Sequence, residues 1–139
     1  MIPMAGQAAA LLDLVATRSG DAALVSYALR LAPAYRSEAE RLRGVLASAG
    51  LPETREHDGH DLPGMVTPDD LAALGARDGD GFDTEAVRQL REEMEQSVRL
   101  ARSERQAGRD GVCLALAAAV EAARTAFLDE LGVLLSRPA

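Results

Sequence analysis

The feature that most constrains this chain is a helical pattern written twice, with the second copy 89 residues after the first (124 − 35 and 135 − 46 alike). The first copy ends in Tyr35, Glu38, Ala39, Leu42, Val45 and Leu46, and the second in Arg124, Phe127, Leu128, Leu131, Leu134 and Leu135. The front halves keep the same offset, with Ala8, Leu11 and Leu12 answering Ser97, Leu100 and Ala101. A constant offset across two helices implies a duplicated helical hairpin. A single hairpin leaves its apolar stripe uncovered, so the two copies must share one core. Any special chemistry is therefore expected between them.

Composition agrees with that frame. A length of 139 residues suits one domain, with a first hairpin over residues 1–50, a connection over 51–81 and a second hairpin over 82–137. Aromatic residues make up only 3%, so Leu, Ala and Val must fill the core, which suits closely packed helices. The formal charge of −7 disfavours a nucleic-acid partner, since binding to phosphates needs a basic surface. All the basic residues are Arg, and there is no Lys.

Cys113 is the single cysteine, so no internal disulfide can form, and its apolar neighbours Val112 and Leu114 mark it as a small buried hydrophobe. Residues 1–3 carry no basic leader and no long apolar run. No apolar stretch comes near the roughly 20 residues of a membrane span, so none is expected. A cytoplasmic protein is expected if Met1 is the native start, and an exported one if a signal segment was removed.

The periodicity predicts a first helix over about residues 3–18, opened by Pro3 and striped by Ala8, Leu11, Leu12 and Val15. Ser19, Gly20 and Asp21 break it. A second helix over about 21–49 contains Pro33, where a kink is expected because one hydrogen bond is lost, and it stops at Gly50. The polar connection that follows holds a short helix opened by Thr67 as cap and Pro68 in the first turn, and residues 75–81 read as a turn-rich exit. Two more helices, over about 83–107 and 110–136, complete an antiparallel four-helix bundle with no strand.

Four stretches then bring a family into view. They are Met1-Ile2-Pro3 with Gln7-Ala8, the run from Ser37 to Gly44, Leu62-Pro63-Gly64-Met65, and Phe82-Asp83. In order and spacing the chain resembles the DUF305 family, bacterial proteins of ferritin-like, four-helix bundle type. The resemblance implies a metal site built on a His-His pair in the first and third helices, and some members are similar to copper-binding proteins. This chain departs from that pattern. The two pairs fall on Met4-Ala5 and Glu93-Met94. The usual Gln positions fall on Tyr35 and Arg124, one Glu is kept as Glu38, and its counterpart is Phe127. The fold carries over and the metal site does not. The third helix also starts well before Glu93, which makes the first helix about two turns the shorter and could leave one end of the bundle open.

The replaced positions supply the sharpest candidates. Arg124 is expected to provide the positive charge that a metal provides in relatives, with Glu93 as its partner and Tyr35 as a hydrogen-bonding neighbour. Met4, Glu38, Met94 and Phe127 would line the same place. An alternative puts Arg124 and Glu93 on unrelated, solvated faces. If the groups converge, they form either a structural plug or a pocket in which Arg124 binds an oxyanion while Tyr35 or Glu93 acts as acid or base. The only histidines, His57 and His60, are weak metal candidates in an acidic linker, and Met1, Met4, Met65 and Met94 form a weaker, soft-metal set.

No cofactor is expected. The leading functional expectation is a small-molecule-binding or interaction protein that has lost the metal site. The alternatives are a metal-independent acid–base enzyme acting on a small organic substrate in bacterial specialised metabolism, and a weak copper-binding protein. The short first helix is a reason to expect a homodimer.

Overall fold

The structure, a computed structural model, describes residues 2–48, 66–108 and 111–136. These residues form five helices and, among them, no strand: α1 (Ile2–Arg18), α2 (Ala22–Ser48), α3 (Pro68–Gly75), α4 (Gly79–Ala107) and α5 (Gly111–Ser136). The four long helices close a ring in which α1 packs on α2, α2 on α5, α5 on α4 and α4 on α1. Two cross-links fix the direction of α2 against α5. Arg30 pairs with Glu130 and Glu38 with Arg124, so one helix climbs as the other descends. The architecture is the all-α bundle the duplicated pattern predicts.

Local sequence explains most of the boundaries. Asp21 caps α2 by accepting from the N–H groups of Ala23 at 3.0 Å and Leu24 at 3.3 Å. Thr67 opens α3 with a capping box. Its hydroxyl accepts from the Asp70 amide at 3.1 Å, and its own amide donates to the Asp70 carboxylate at 3.0 Å. Pro33 lies inside an unbroken α2. The carbonyl it leaves without a partner belongs to Leu29, and both residues face solvent, where water can replace the lost bond.

Two expectations need correction. Residues 79–81 are not part of a turn-rich exit. The turn covers residues 76–78, and α4 starts at Gly79, whose φ of +58° only glycine adopts without strain. The early start brings Phe82 and Ala86 into the core. Arg18 fixes this corner by donating to the carbonyls of Gly75 at 2.8 Å and Arg77 at 3.1 Å, while its guanidinium lies 5.6 Å from the centre of the Phe82 ring. The second correction concerns α5. Its 26 residues contain an 18-residue window with a mean hydropathy of 1.6, long and apolar enough to cross a membrane by length and composition. An alanine-rich run with few charges gives it that character, although it packs on α2 and α4 around a buried arginine.

The main core joins both hairpins: Leu11, Leu12 and Val15 of α1, Tyr27, Leu31 and Tyr35 of α2, Phe82, Leu90 and Met94 of α4, and Leu131 of α5. A smaller cluster of Ala101, Ala117 and Val120 lies apart from it, between α4 and α5 alone. With 17 residues in α1 and 29 in α4, the first helix lines only part of the third long helix. Between the two clusters, polar side chains enter the interior.

Candidate functional site

Arg124 projects from the middle of α5 into the bundle and is 2% exposed. Its two terminal nitrogens donate to the two carboxylate oxygens of Glu38 on α2, Nη1 to Oε1 at 3.2 Å and Nη2 to Oε2. This end-on, two-pronged pair matches the planar fork of guanidinium to the plane of carboxylate. The third nitrogen, Nε, points towards Glu93 of α4, 3.7 Å from Oε1, and has no hydrogen-bond partner. Glu93 is filled from other directions. The Tyr35 hydroxyl donates to Oε2 at 2.9 Å, and the Ser97 hydroxyl, one turn along α4, donates to Oε1 at 2.8 Å.

Aromatic faces complete the enclosure. The guanidinium carbon of Arg124 lies 3.8 Å from the centre of the Tyr35 ring, a cation–π contact in a desolvated setting. Tyr35 stacks in turn on Phe127, with ring centres 5.9 Å apart. Two turns before Tyr35 along the core face of α2, the Tyr27 hydroxyl donates to the backbone carbonyl of Phe127 at 2.8 Å and sits 3.7 Å from the Met94 sulfur.

Burial sets the electrostatics. It pushes the Glu93 carboxyl above the usual carboxylate range, and the nearby Arg124, Ser97 and Tyr35 only partly offset that push. Burial also opposes the charge on Arg124, yet Tyr35, Glu93 and Glu38 together hold its pKa above the ordinary value. The Tyr35 phenol is raised well above its usual value by burial and then by the facing Glu93. Arg124 is thus a charged group paired with Glu38, and Glu93 is the carboxyl with the weaker claim to a charge.

The structure therefore brings Tyr35, Glu93 and Arg124 together, with Glu38, Phe127 and Met94 around them. The partner of Arg124 differs from the one the sequence suggested. Glu38 takes the two hydrogen bonds and Glu93 is the more distant neighbour, because Glu38 approaches end-on from the facing helix. Ser97 is a buried polar residue of this cluster that the sequence reading did not single out as a site residue. Its spacing of four from Glu93 is the signal that could have found it. The side chain of Met4 and all of Met1, Met65, His57 and His60 lie outside the described residues. Among the described residues no group of three His, Cys, Asp or Glu side chains could hold a metal ion.

Comparison with known proteins agrees with this architecture. A family model described as a domain of unknown function, DUF305, matches residues 1–135. The fold is similar to the crystal structure of a DUF305 protein from Streptomyces coelicolor, with a TM-score of 0.81 at 20% identity, covering 97% of this chain and 88% of that one. Among curated proteins nothing matches.

Proposed function

Because the chain belongs to the DUF305 family, we propose that it is a metal-independent binding or interaction protein, in which a buried ion cluster occupies the place where the resemblance implies a metal. One observation carries this reading: Tyr35 and Glu93 have no surface that water can reach, and Arg124 and Glu38 have almost none. Apart from Arg124 Nε, their polar atoms are taken up by one another and by Ser97. A plug of this kind joins α2, α4 and α5, so it ties the two hairpins and fixes their register. Acid–base chemistry at Tyr35 or Glu93 would first require the bundle to open.

Ligands then meet the protein on its outside. An open groove of about 570 Å³ runs between α2, α4 and α5, where Leu24, Val87 and Leu134 make an apolar floor and Arg88 and Arg91 share a rim of mixed charge with Asp83, Glu92 and Glu95. Its size is that of a small organic ligand. A second groove of about 360 Å³ between α1 and α2 is lined by Ala9, Ala10 and Ala39 with Asp13 and Arg36 at its edge.

The test is metal loading of the purified full chain with cuprous, cupric and zinc ions, followed by desalting and elemental analysis. The reading predicts no retained stoichiometric metal and no shift in thermal unfolding. One ion per chain that is lost on Glu38→Gln or Glu93→Gln substitution would overturn it. Copper lost instead on joint His57→Ala and His60→Ala substitution would replace it with the copper-binding alternative.

A further inference from the structure

The buried cluster contains one guanidinium and two carboxyls, and its charges do not balance if both carboxyls ionise. Arg124 and Glu38 cancel through their two-pronged pair. Glu93 would then add a negative charge with no counter-ion. Bare carboxylates are expensive to bury, and such a group takes up a proton where it cannot find a partner.

Among the described residues, the surroundings of Glu93 offer no other source of neutrality. From α2 it meets the neutral hydroxyl of Tyr35, with Glu38 beyond and Tyr27 further along the helix. From its own helix it meets Ser97. From α5 it meets only Arg124, already paired. The α1 residues buried in the core (Ala8, Ala9, Leu11, Leu12 and Val15) are all apolar. The titratable groups of α1, Asp13 and Arg18, are engaged elsewhere with Arg36 and the α3–α4 corner. Glu93 is 0% exposed, which leaves no room for a water or a cation against it.

We propose that the cluster is a proton-binding site, in which Glu93 holds one proton at the joint between the two hairpins and its release loosens that joint. Tyr35 and Ser97 can each accept as well as donate, so either can receive the carboxyl O–H. The raised position of the Glu93 carboxyl agrees with this assignment. Linkage fixes the sign. The folded chain keeps a proton that the unfolded chain gives up near the ordinary glutamate value, so stability falls as pH rises from that value to the folded one. The slope for one proton is about a tenfold fall in the folding equilibrium constant per pH unit.

Denaturant unfolding of wild type and Glu93→Gln, measured from about pH 5 to pH 8, tests this. The amide copies the neutral carboxyl without its ionisation. The wild type should lose stability with rising pH relative to the variant. Parallel profiles would overturn the proposal. If the variant fails to fold, the side-chain carboxyl carbon of Glu93 in isotope-labelled wild type decides. A signal that remains in the protonated position well above the ordinary glutamate range supports the site, and titration within that range overturns it.

Discussion

Tyr35 and Arg124 hold equivalent positions in the two repeated hairpins, and they meet face to face, the guanidinium carbon 3.8 Å from the ring centre. The repeat thus brings two of its equivalent positions into direct contact. One supplies an aromatic face and a hydroxyl, the other a fixed positive charge. Their roles divide cleanly, since the ring supports Arg124 while the hydroxyl serves Glu93.

Separating the two roles of Tyr35 gives a first prediction. Tyr35→Phe keeps the ring under Arg124 and deletes the donor to Glu93. A buried acceptor left short costs about 1–3 kcal/mol. Tyr35→Leu loses the cation–π contact as well and should cost more, by about 1–2 kcal/mol beyond the Phe variant. Urea unfolding of the three proteins checks the order. Equal stability of the Phe variant and wild type would show that the hydroxyl contributes nothing.

The alkaline limb follows from the phenols. The chain has two tyrosines and no tryptophan, and both tyrosines are buried. Both phenols are raised, Tyr27 by burial and the facing Glu130 and Tyr35 by burial and Glu93. A raised phenol stays neutral in the folded chain while the unfolded chain ionises near pH 10. The contribution of the phenols to stability is therefore full below about pH 10 and falls above it. Phenolate absorbance should rise only as helical ellipticity is lost. Ionisation of either tyrosine with the helices intact would contradict this.

On the acid side the surface carboxylates behave oppositely. Hydrogen bonds from Arg88 lower Glu85 to about 2, those from Arg105 and Arg102 lower Glu121, and that from Arg30 lowers Glu130. Their contribution is present above the ordinary glutamate value and lost as pH falls through the depressed values. The arginines of these pairs are more than half exposed, so the effect is small and screened by salt. The acid limb should flatten at high ionic strength, while the opposing slope assigned to Glu93 persists. Equal salt sensitivity of the two slopes would contradict the burial of Glu93.

The corner at Arg18 gives a local prediction. Arg18→Ala removes two hydrogen bonds to backbone carbonyls and the contact with Phe82. The side chain is 38% exposed, so the cost is modest, about 1 kcal/mol. The change should appear as faster amide hydrogen exchange in α3 and the first turns of α4. Uniform acceleration through all helices would point to a global effect instead.

Much of this was legible in the sequence, and the reasons differ by residue. The repeated apolar positions announced the bundle because helical periodicity is a strong local signal. Thr67 and Pro68 announced α3 because capping is written in four residues. Gly79 to Gly81 looked like a turn because three of the surrounding seven residues are glycine, yet tertiary burial of Phe82 and Ala86 carries the helix back through them. The resemblance to the DUF305 pattern singled out Tyr35, Glu93 and Arg124, and the repeat offset paired Tyr35 with Arg124. It could not say that Glu38, rather than Glu93, takes the guanidinium, since that choice depends on the approach of α2 to α5 and not on spacing within either helix. The donor role of Ser97 was legible in its spacing of four from Glu93 on the same helix, a signal the sequence reading passed over.

The central claim is that Glu38 and Arg124 form the buried tie between the hairpins, and a double-mutant cycle on these two side chains tests it most directly. Removing either partner alone leaves a buried charge uncompensated, which costs about 3–5 kcal/mol. Joint replacement of Glu38 by Gln and Arg124 by Met should recover a large part of that loss, giving a coupling energy of at least about 2 kcal/mol. Single substitutions that cost little and simply add would show that the pair does not hold the hairpins together.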